Sequence, residues 1–455
     1  MQHLAADLVV VLPGILGSTL SRGPRQIWGY RSVARLDRLS DRLTQDLALP
    51  PQAFDDPEHG FNDGARPTGS MRTLGIIPGF LSVDGYDRLL AKLRRELAPL
   101  GPDSVIEFPY DWRQSNAFTA RRLKAVVEPL LLHRRRRFPA ARLVFVAHSM
   151  GGLIARYYAE CLDTEKLTRR IITIGTPFTG AAKALAVLAN GYASLGPQRF
   201  HFGELVRSLP SVAELLPAYA CVGPSPDTLR PLSDAAVPGL PALCRQRAQQ
   251  FHQQIRTAIA ANGDARPSYH ALMSCHQKTA TWASVADDRD EVLLHSPEDL
   301  FQRGDGTVPR CSAAPPEWED DAASVFVSGR HASLQQQRHV VLQVHGIVTA
   351  RPRRPMAAMD EIAVEAEPWV APGEEWSVRA ESVEGSNGLV LTVTVTDPSN
   401  DEVIAQAPMR PRGDGTHTAS LRLDRPGAFR WTVHTVPTAA TPVEPVSDAL
   451  LCVDA

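Results

Sequence analysis

The sequence has few cysteines, and they are not spaced as a disulfide framework or a metal site. Its six cysteines are scattered over 455 residues, and none forms a C-x-x-C pair. This distribution favours free, mostly buried thiols in a reducing compartment. We therefore expect no disulfide scaffold, and we separately expect no bound metal and no cofactor.

The sequence also lacks long apolar runs and an excess of charge of one sign. No uninterrupted apolar run is long enough to span a bilayer, and the first residues do not combine the basic region, apolar core and cleavage site of a signal peptide. These absences predict a cytoplasmic protein. With a net charge of −2, nothing in the composition indicates a nucleic-acid partner, and we expect none.

The composition is otherwise that of an ordinary globular protein. Hydrophobic residues make up 44% of the chain and charged residues 22%, which is enough to build a large core. Because 455 residues is long for one domain, we expect two domains.

Short apolar runs alternate with amphipathic segments over residues 1–350. We predict strands at residues 8–12, 104–108, 142–147, 170–174, 269–274, 292–295 and 324–328, and helices at residues 84–100, 116–137 and from 334 to 345. This alternation favours a mostly parallel sheet with helices on both faces. Residues 25–72 are polar and interrupted by Pro and Gly, so we expect an irregular surface excursion there.

Residues 178–268 interrupt the alternation. They are rich in Leu, Pro, Tyr and Phe and contain two helical patches, at residues 181–193 and 203–216. An apolar insertion at this place is typical of a cap over an active site, and the alternative is a set of additional core helices.

The pattern changes after a segment rich in Pro and Arg, which we interpret as a linker at residues 351–361. Beyond it, segments with a period of two occur at residues 376–380, 389–396, 418–423 and 428–435. They predict an all-β sandwich, immunoglobulin-like in size, over residues 362–455. No feature of the sequence indicates a ligand for it.

Ser149 lies in the most informative run of the chain, residues 143–152 (LVFVAHSMGG). A β-branched apolar stretch leads into the serine, and an amphipathic segment follows at once. This is the strand–turn–helix pattern of a nucleophile elbow, which requires small residues two positions either side; here they are Ala147 and Gly151. We predict that Ser149 is a nucleophile, the alternative being an ordinary strand–helix connection that carries a serine.

A serine hydroxyl needs a base to take its proton and an acid to orient that base. In α/β-hydrolases the chain order is Ser, then Asp or Glu, then His. Asp305 lies in a Gly-Asp-Gly turn, and His331 follows the predicted strand at residues 324–328. Each alone is also explained as a turn or helix-start residue, but their order after Ser149 predicts a catalytic triad. The predicted fold class is therefore α/β: an α/β-hydrolase with a mostly parallel central sheet and a cap insertion, followed by the β-sandwich.

An oxyanion hole needs two N–H donors. We predict the N–H of Met150, at the start of the helix after the elbow, and the N–H of Ile15, in the turn after the first strand. A second Pro-Gly turn, at residues 77–80, is an alternative source of the second donor.

Several other residues resemble parts of such a site, but each lies in a helical pattern, at an unsuitable place along the chain, or pointing away from the serine. We interpret them as structural: His148, His339, His345, Asp414 and the basic run at residues 134–137.

These motifs together resemble the lecithin:cholesterol acyltransferase family, which includes lysosomal phospholipase A2 and phospholipid:diacylglycerol acyltransferases. The matching segments are residues 13–18 (PGILGS), 108–113 (FPYDWR), 147–152 (AHSMGG), 175–181 (GTPFTGA), 209–211 (LPS), 215–217 (LLP), 304–309 (GDGTVP) and His331. The FPYDWR stretch is much more specific than a serine motif alone. The resemblance covers residues 8–347 and not the predicted sandwich.

The resemblance implies lipid-ester substrates, phospholipid or acylglycerol, and an acyl-enzyme on Ser149. It favours O-acyl transfer, with the substrate met at a membrane surface; hydrolysis of phospholipids or small esters is the alternative. A second alternative is a non-catalytic interaction protein on a hydrolase scaffold, which predicts a missing triad member. The disulfide-stapled lid of the secreted members does not carry over, since residues 25–72 contain no cysteine.

Overall fold

The computed structural model describes residues 6–29, 44–72, 74–77, 81–191, 193–195, 198–200, 203–263, 265–286, 291–318, 324–349, 361–383, 389–412, 415–436 and 442–453. Strands up to residue 349 are β1 (Leu8–Leu12), β2 (Ser18–Arg22), β3 (Arg25–Trp28), β4 (Ala65–Ser70), β5 (Leu74–Ile77), β6 (Leu81–Asp84), β7 (Val105–Glu107), β8 (Leu143–His148), β9 (Thr168–Ile174), β10 (Ala193–Leu195), β11 (Gln198–Phe200), β12 (Ser268–Met273), β13 (Trp282–Ala286), β14 (Glu291–His295) and β15 (Ser324–Phe326). The α-helices are α1 (Asp87–Leu97), α2 (Asn116–Arg135), α3 (Met150–Tyr157), α4 (Ala182–Asn190), α5 (Gly203–Arg207), α6 (Pro210–Ala213), α7 (Ala242–Asn262) and α8 (Arg338–Thr349).

A six-stranded parallel sheet forms the centre of this part of the chain. Its order is β15–β12–β9–β8–β1–β7, and each neighbouring pair is parallel. All five residues of β1, LVVVL, are buried, as expected for a strand that is covered on both faces. The prediction of an α/β fold with a mostly parallel central sheet is confirmed.

The first two predicted helices are present with slightly shorter bounds. α1 buries Leu89, Leu90, Leu93 and Leu97, the face that the spacing predicts. α2 begins after Ser115, whose hydroxyl oxygen accepts the N–H of Ala117 at 3.1 Å and satisfies a donor that the helix itself leaves free.

The prediction of an irregular excursion at residues 25–72 is wrong at its two ends, which form β3 and β4, while the described residues 48–64 between them are irregular apart from a short 3-10 turn. β3 and β4 pair with either side of β2 in an antiparallel sheet. The side chain of Trp28 is buried, and its Nε1–H donates to the carbonyl oxygen of Leu16 at 2.8 Å. The strands are short and half-exposed, so their polar residues resemble a loop unless the pairing with β2 is known.

The segment predicted as a cap, residues 178–268, contains α4 to α7. The predicted helical patch at residues 203–216 is two short helices, because Pro210 opens a new one. The longest helix of the segment, the 21-residue α7, is absent from the sequence prediction. The strand predicted at residues 292–295 exists, but it pairs with β13 in a separate hairpin and not with the central sheet.

The described residues from 361 onward form two β-sheets, the C-terminal sheets. Their strands are β16 (Ile362–Ala366), β17 (Trp369–Val370), β18 (Glu375–Ser382), β19 (Leu391–Thr396), β20 (Val403–Pro408), β21 (Arg410–Pro411), β22 (Thr416–Arg422), β23 (Gly427–Thr435) and β24 (Val446–Cys452). The sheet orders are β16–β18–β22–β21 and β17–β24–β23–β19–β20, and the pairs are antiparallel apart from β17–β24.

These sheets enclose a hydrophobic core of their own, in which the rings of Trp376 and Trp431 lie 6.1 Å apart. The predicted C-terminal β-structure is confirmed, while its immunoglobulin-like class and the domain limits stay predictions. Residues 351–360 of the predicted linker lie outside the described residues.

Over the described ranges, no helix has both the length and the apolar character that a membrane crossing requires. All six cysteines are free thiols, and four of them are buried.

Candidate active site

Ser149 lies at the sharp turn between β8 and α3, at the carboxyl edge of the parallel sheet. Its backbone has φ 52° and ψ −127°, a conformation that residues with a Cβ rarely adopt. The turn leaves no room for a side chain at Gly151, where a Cβ would lie 2.5 Å from the carbonyl oxygen of Pro13. The local fold is therefore the strand–turn–helix elbow that the sequence predicts.

The side chains of Ser149, His331 and Asp305 form a continuous line of hydrogen bonds. His331 Nε2 is 2.8 Å from Ser149 Oγ, and His331 Nδ1 is 2.7 Å from Asp305 Oδ2. All three residues are buried. The structure brings the predicted nucleophile, base and acid together, and their catalytic roles stay predictions.

The backbone of the acid turn fixes the Asp305 carboxylate. Its Oδ1 accepts the N–H of Thr307 at 2.9 Å and of Val308 at 2.7 Å, so Oδ2 is directed to His331. The N–H of His331 also donates to the carbonyl oxygen of Asp305 at 2.8 Å. Because a carboxylate accepts a proton donor at Nδ1, the lone pair of His331 Nε2 faces the Ser149 hydroxyl. In this tautomer His331 can take the hydroxyl proton.

The turn that carries Ile15 packs directly against Ser149. A Cβ on Gly14 would lie 2.8 Å from the Ser149 Cβ, so only glycine allows this approach. On the other side of Ile15, Leu16 has φ 64° and its carbonyl oxygen accepts the Trp28 indole N–H. The backbone on both sides of the predicted donor is therefore held in place.

Met150, the second predicted oxyanion donor, is the first residue of α3. The first N–H groups of a helix have no acceptor within the helix, and the helix dipole favours negative charge near them. Donation from Met150 and Ile15 to a substrate oxygen stays a prediction.

The FPYDWR stretch, residues 108–113, supports the turn that carries Ile15 through hydrogen bonds to residues on either side of it. The Tyr110 hydroxyl donates to the carbonyl oxygen of Pro13 at 2.8 Å, and the Trp112 indole N–H donates to that of Ser18 at 3.2 Å. Arg113 is fully buried and pairs with two carboxylates, of Asp111 at 2.7 Å and of Asp63 at 2.8 Å.

The sequence analysis does not identify Asp63 as a supporting residue, because Asp63 lies in the segment interpreted as a surface excursion. Partial burial opposes its charge, but the Arg113 guanidinium lowers the pKa of Asp63 well below its usual range. Its carboxylate anchors the segment that contains β4 to the active-site core.

Tyr86 is a second supporting residue that the sequence does not indicate. Its hydroxyl oxygen accepts the N–H of Gly14 at 2.8 Å and lies 2.8 Å from His148 Nδ1. His148 Nε2 lies 3.0 Å from the carbonyl oxygen of His331. Burial and the nearby His331 hold the pKa of His148 well below its ordinary value, so the ring is neutral. A neutral ring donates from Nε2 to His331 and accepts from Tyr86 at Nδ1.

The other histidines interpreted as structural lie beside carboxylates elsewhere in the fold. His339 Nδ1 is 2.8 Å from Glu444, and His345 Nε2 is 3.6 Å from Glu96. In the basic run at residues 134–137, Arg134 is buried and donates to a backbone carbonyl oxygen.

Two alternative residues or turns from the sequence analysis are not described by the structure. Asp414 and residues 78–80 of the second Pro-Gly turn lie outside the described residues. Among the residues that the structure describes, no group of three or more His, Cys, Asp or Glu side chains is arranged to hold a metal ion.

Comparison with known proteins gives a family match. Residues 88–232 match the sequence model described as Lecithin:cholesterol acyltransferase. This stretch contains the FPYDWR motif and Ser149, but not Asp305 or His331.

Two curated relatives bear the name Lysosomal phospholipase A and acyltransferase. The Homo sapiens protein is 31% identical over 116 residues, which is 24% of this chain and 27% of that protein. The Canis lupus familiaris protein is 26% identical over 147 residues, 31% of this chain and 36% of that protein. This chain therefore spans only 27% to 36% of the length of these relatives.

Among solved structures, the Bacillus licheniformis lipase BlEst2 in propeptide form is similar over 99% of this chain and 95% of that chain, at 11% identity and a TM-score of 0.35. A score this low assigns nothing to the chain, whose fold follows from its own sheet order. The family match and the named relatives confirm the resemblance carried by the motifs: residues 88–232 of this chain are similar to the lecithin:cholesterol acyltransferase family.

Proposed function

We propose that this protein is a serine acyltransferase or lipase that acts on lipid esters through an acyl-enzyme on Ser149. One observation carries the proposal: His331 lies 2.8 Å from the Ser149 hydroxyl and 2.7 Å from Asp305, in a buried line at the sheet edge. The family match over residues 88–232 supports lipid esters as the substrate class.

In the first half of the reaction, His331 Nε2 takes the Ser149 hydroxyl proton while Oγ attacks the ester carbonyl carbon. The negative charge that develops on the carbonyl oxygen is stabilised by the N–H groups of Ile15 and Met150. The tetrahedral intermediate then breaks its bond to the leaving alcohol oxygen, which receives the proton from His331. The product of this half is an ester between Ser149 and the acyl group.

In the second half, an acceptor hydroxyl gives its proton to His331 and attacks the acyl carbon. The Ser149 Oγ leaves and recovers the proton from His331. An alcohol as acceptor gives a new ester, and water gives a free acid. Throughout, Asp305 stabilises the imidazolium form of His331 and keeps its Nε2 directed at Ser149.

The name of the relatives favours phospholipid as the acyl donor, with acylglycerol as the other member of the class. We propose that the segment at residues 178–268 caps the acyl chain, because its described helices bury an apolar surface beside the central sheet. We also propose that the enzyme meets its substrate at a membrane surface, that it is cytoplasmic, and that its two domains are bounded at residues 350 and 362.

The proposal is tested with a fluorophosphonate probe, which phosphonylates only an activated serine. We expect wild-type protein to be labelled and Ser149→Ala to show no labelling above background, with unchanged folding by circular dichroism. Absence of labelling in folded wild-type protein overturns the proposal.

A product assay then separates transfer from hydrolysis. Phosphatidylcholine vesicles are supplied with and without a long-chain alcohol, and both fatty-acid release and formation of the alcohol's ester are measured. We expect the ester to form with wild-type protein and not with Ser149→Ala. Release of fatty acid alone identifies the enzyme as a lipase that uses water.

A further inference from the structure

The loop that carries His331 is attached to both C-terminal sheets. Arg330 directly precedes His331, and its Nε lies 2.6 Å from the Asp448 carboxylate on β24. Its Nη1 donates to the carbonyl oxygen of Val364 on β16 at 3.1 Å, and its guanidinium lies 5.9 Å from the centre of a Trp431 ring on β23. One arginine thus touches three strands that belong to two different sheets.

A second contact fixes the same loop two residues beyond the base. The Ser333 hydroxyl donates to the carbonyl oxygen of Ser447 at 2.7 Å, in a buried position. The Ser447 hydroxyl in turn lies 2.8 Å from that of Thr432 on β23. His331 therefore lies between two residues, Arg330 and Ser333, that both bind the C-terminal sheets.

The loop that carries Asp305 reaches the same sheets through Gln277. The backbone N–H and C=O of Gln277 pair with Gly304, the neighbour of Asp305, at 2.9 Å and 3.1 Å. The buried Gln277 side chain then uses both ends of its amide on β16: Nε2 donates to Ile362 at 3.2 Å, and Oε1 accepts the N–H of Val364 at 3.2 Å. Its amide extends the edge of β16 as an additional peptide group would.

Arg330 also lies against the acid turn, because a Cβ on Gly306 would be 3.3 Å from its Nη2. The acid turn, the base loop and the C-terminal sheets therefore meet at one guanidinium. We propose that the C-terminal sheets hold the acid and base of the active site in position, with Arg330, Asp448 and Gln277 as positioning residues. This proposal rests on the proposed function, since it assigns those roles to Asp305 and His331.

The physical reason is the sensitivity of proton transfer to geometry. A displacement of a catalytic group by about 1 Å reduces the rate by up to about 100-fold. Release of one of several anchors of the His331 loop displaces the base less than that, so we expect a fall in kcat of roughly 10-fold. Because the anchors do not contact the substrate, KM is expected to stay within about 2-fold.

Arg330→Gln is tested beside a matched control, Arg425→Gln. Arg425 also pairs with a carboxylate, Asp397 at 2.9 Å, and lies 5.7 Å from the centre of the Phe429 ring, but both of these partners belong to the C-terminal part of the chain and not to the loops of Asp305 or His331. We expect fluorophosphonate labelling and kcat to fall about 10-fold in Arg330→Gln and to stay within about 2-fold in Arg425→Gln. Urea unfolding of both variants measures how much stability each has lost.

Asp448→Asn provides a second variant that leaves the α/β part of the chain unchanged. We expect it to lose part of the activity that Arg330→Gln loses, because Arg330 keeps its contacts with Val364 and Trp431, and we expect the double variant to lose no more than Arg330→Gln. The proposal is overturned if Arg330→Gln and Asp448→Asn are both labelled as strongly as the wild-type protein and both have its kcat. Equal losses in Arg330→Gln and Arg425→Gln also overturn it, since they indicate general destabilisation. No labelling of wild-type protein overturns instead the proposed function.

Discussion

The two sides of the candidate active site are supported by different parts of the molecule. On the nucleophile side, the described supports of Ser149 come from the turn at Gly14, from Tyr86 and from Thr176, whose hydroxyl donates to the Ser149 carbonyl oxygen at 3.0 Å. On the acid–base side, the loops of Asp305 and His331 are bound by the C-terminal sheets, for example through the contact of Ser333 with Ser447, 114 residues away. The nucleophile is therefore supported from within the α/β part of the chain, whereas the acid and base loops are also bound by the C-terminal sheets.

The largest expected effect is on the acid–base side, in Asp305→Asn. The asparagine keeps the shape of the side chain, but its amide can present an N–H to His331 and favour the tautomer with the proton on Nε2. That form cannot accept the Ser149 proton, so we expect kcat to fall by about 10³- to 10⁴-fold. Single-turnover assays on the folded variant measure it, and a loss below about 10-fold contradicts the assigned role of Asp305.

A smaller effect is expected on the nucleophile side, in Tyr86→Phe. Loss of the hydroxyl leaves the buried N–H of Gly14 without its acceptor and frees the turn that carries Ile15. We expect kcat to fall roughly 10-fold, with a stability loss of about 1–3 kcal/mol.

The control for this variant is Tyr269→Phe, which removes a buried hydroxyl that donates to Glu160 at 2.7 Å. Tyr269 lies near the amino end of β12, whereas the candidate active site lies at the carboxyl edge of the sheet. We expect Tyr269→Phe to lose stability but to keep its activity within about 2-fold. Parallel measurements of kcat and of the urea midpoint test this difference. Equal activity losses in both variants contradict a positioning role for Tyr86.

The smallest expected effect is a dependence of the free energy of unfolding on pH, and it arises on the acid–base side of the site. Burial opposes the charge on His276, but Cys275 and Glu361 outweigh it and raise the pKa of His276 from 6.5 to about 9. Since the folded-state value is the higher one, the stabilisation is complete below pH 6.5 and is lost as the pH rises toward about 9.

We expect the free energy of unfolding to fall by roughly 1–2 kcal/mol across that window, after allowance for solvent screening. Urea unfolding at several pH values measures it, and His276→Gln is expected to remove most of the dependence. A wild-type profile that matches the variant contradicts the link between His276 and Glu361.

The difference between local patterns and distant pairings explains which features the sequence predicts. Ser149, Asp305 and His331 each lie in a short local pattern, and their order along the chain points to the triad. Arg330 and Gln277 have ordinary neighbours, and they acquire a role only when β16 and β24 pack against their loops. Such pairings between distant segments leave no local signature.

The secondary structure likewise includes elements that the sequence predicts correctly and elements that it misses. The five-residue run of β1 is apolar throughout and is predicted correctly, because a strand covered on both faces needs no alternation. The helix α7 is missed although Cys244, Ala248, Phe251 and Ile255 recur at helical spacing on its buried face. In β3 and β4, by contrast, the short exposed strands offer no comparable pattern.

The positive φ of Ser149 has a consequence for how variants of this protein would be selected. A non-glycine residue in this conformation costs on the order of 1–3 kcal/mol, which glycine avoids. Ser149→Ala retains the Cβ and hence the strain, whereas Ser149→Gly relaxes the backbone. A library screened for thermal stability alone is therefore expected to enrich glycine at position 149 and to discard the reactive hydroxyl, a direct exchange of activity for stability.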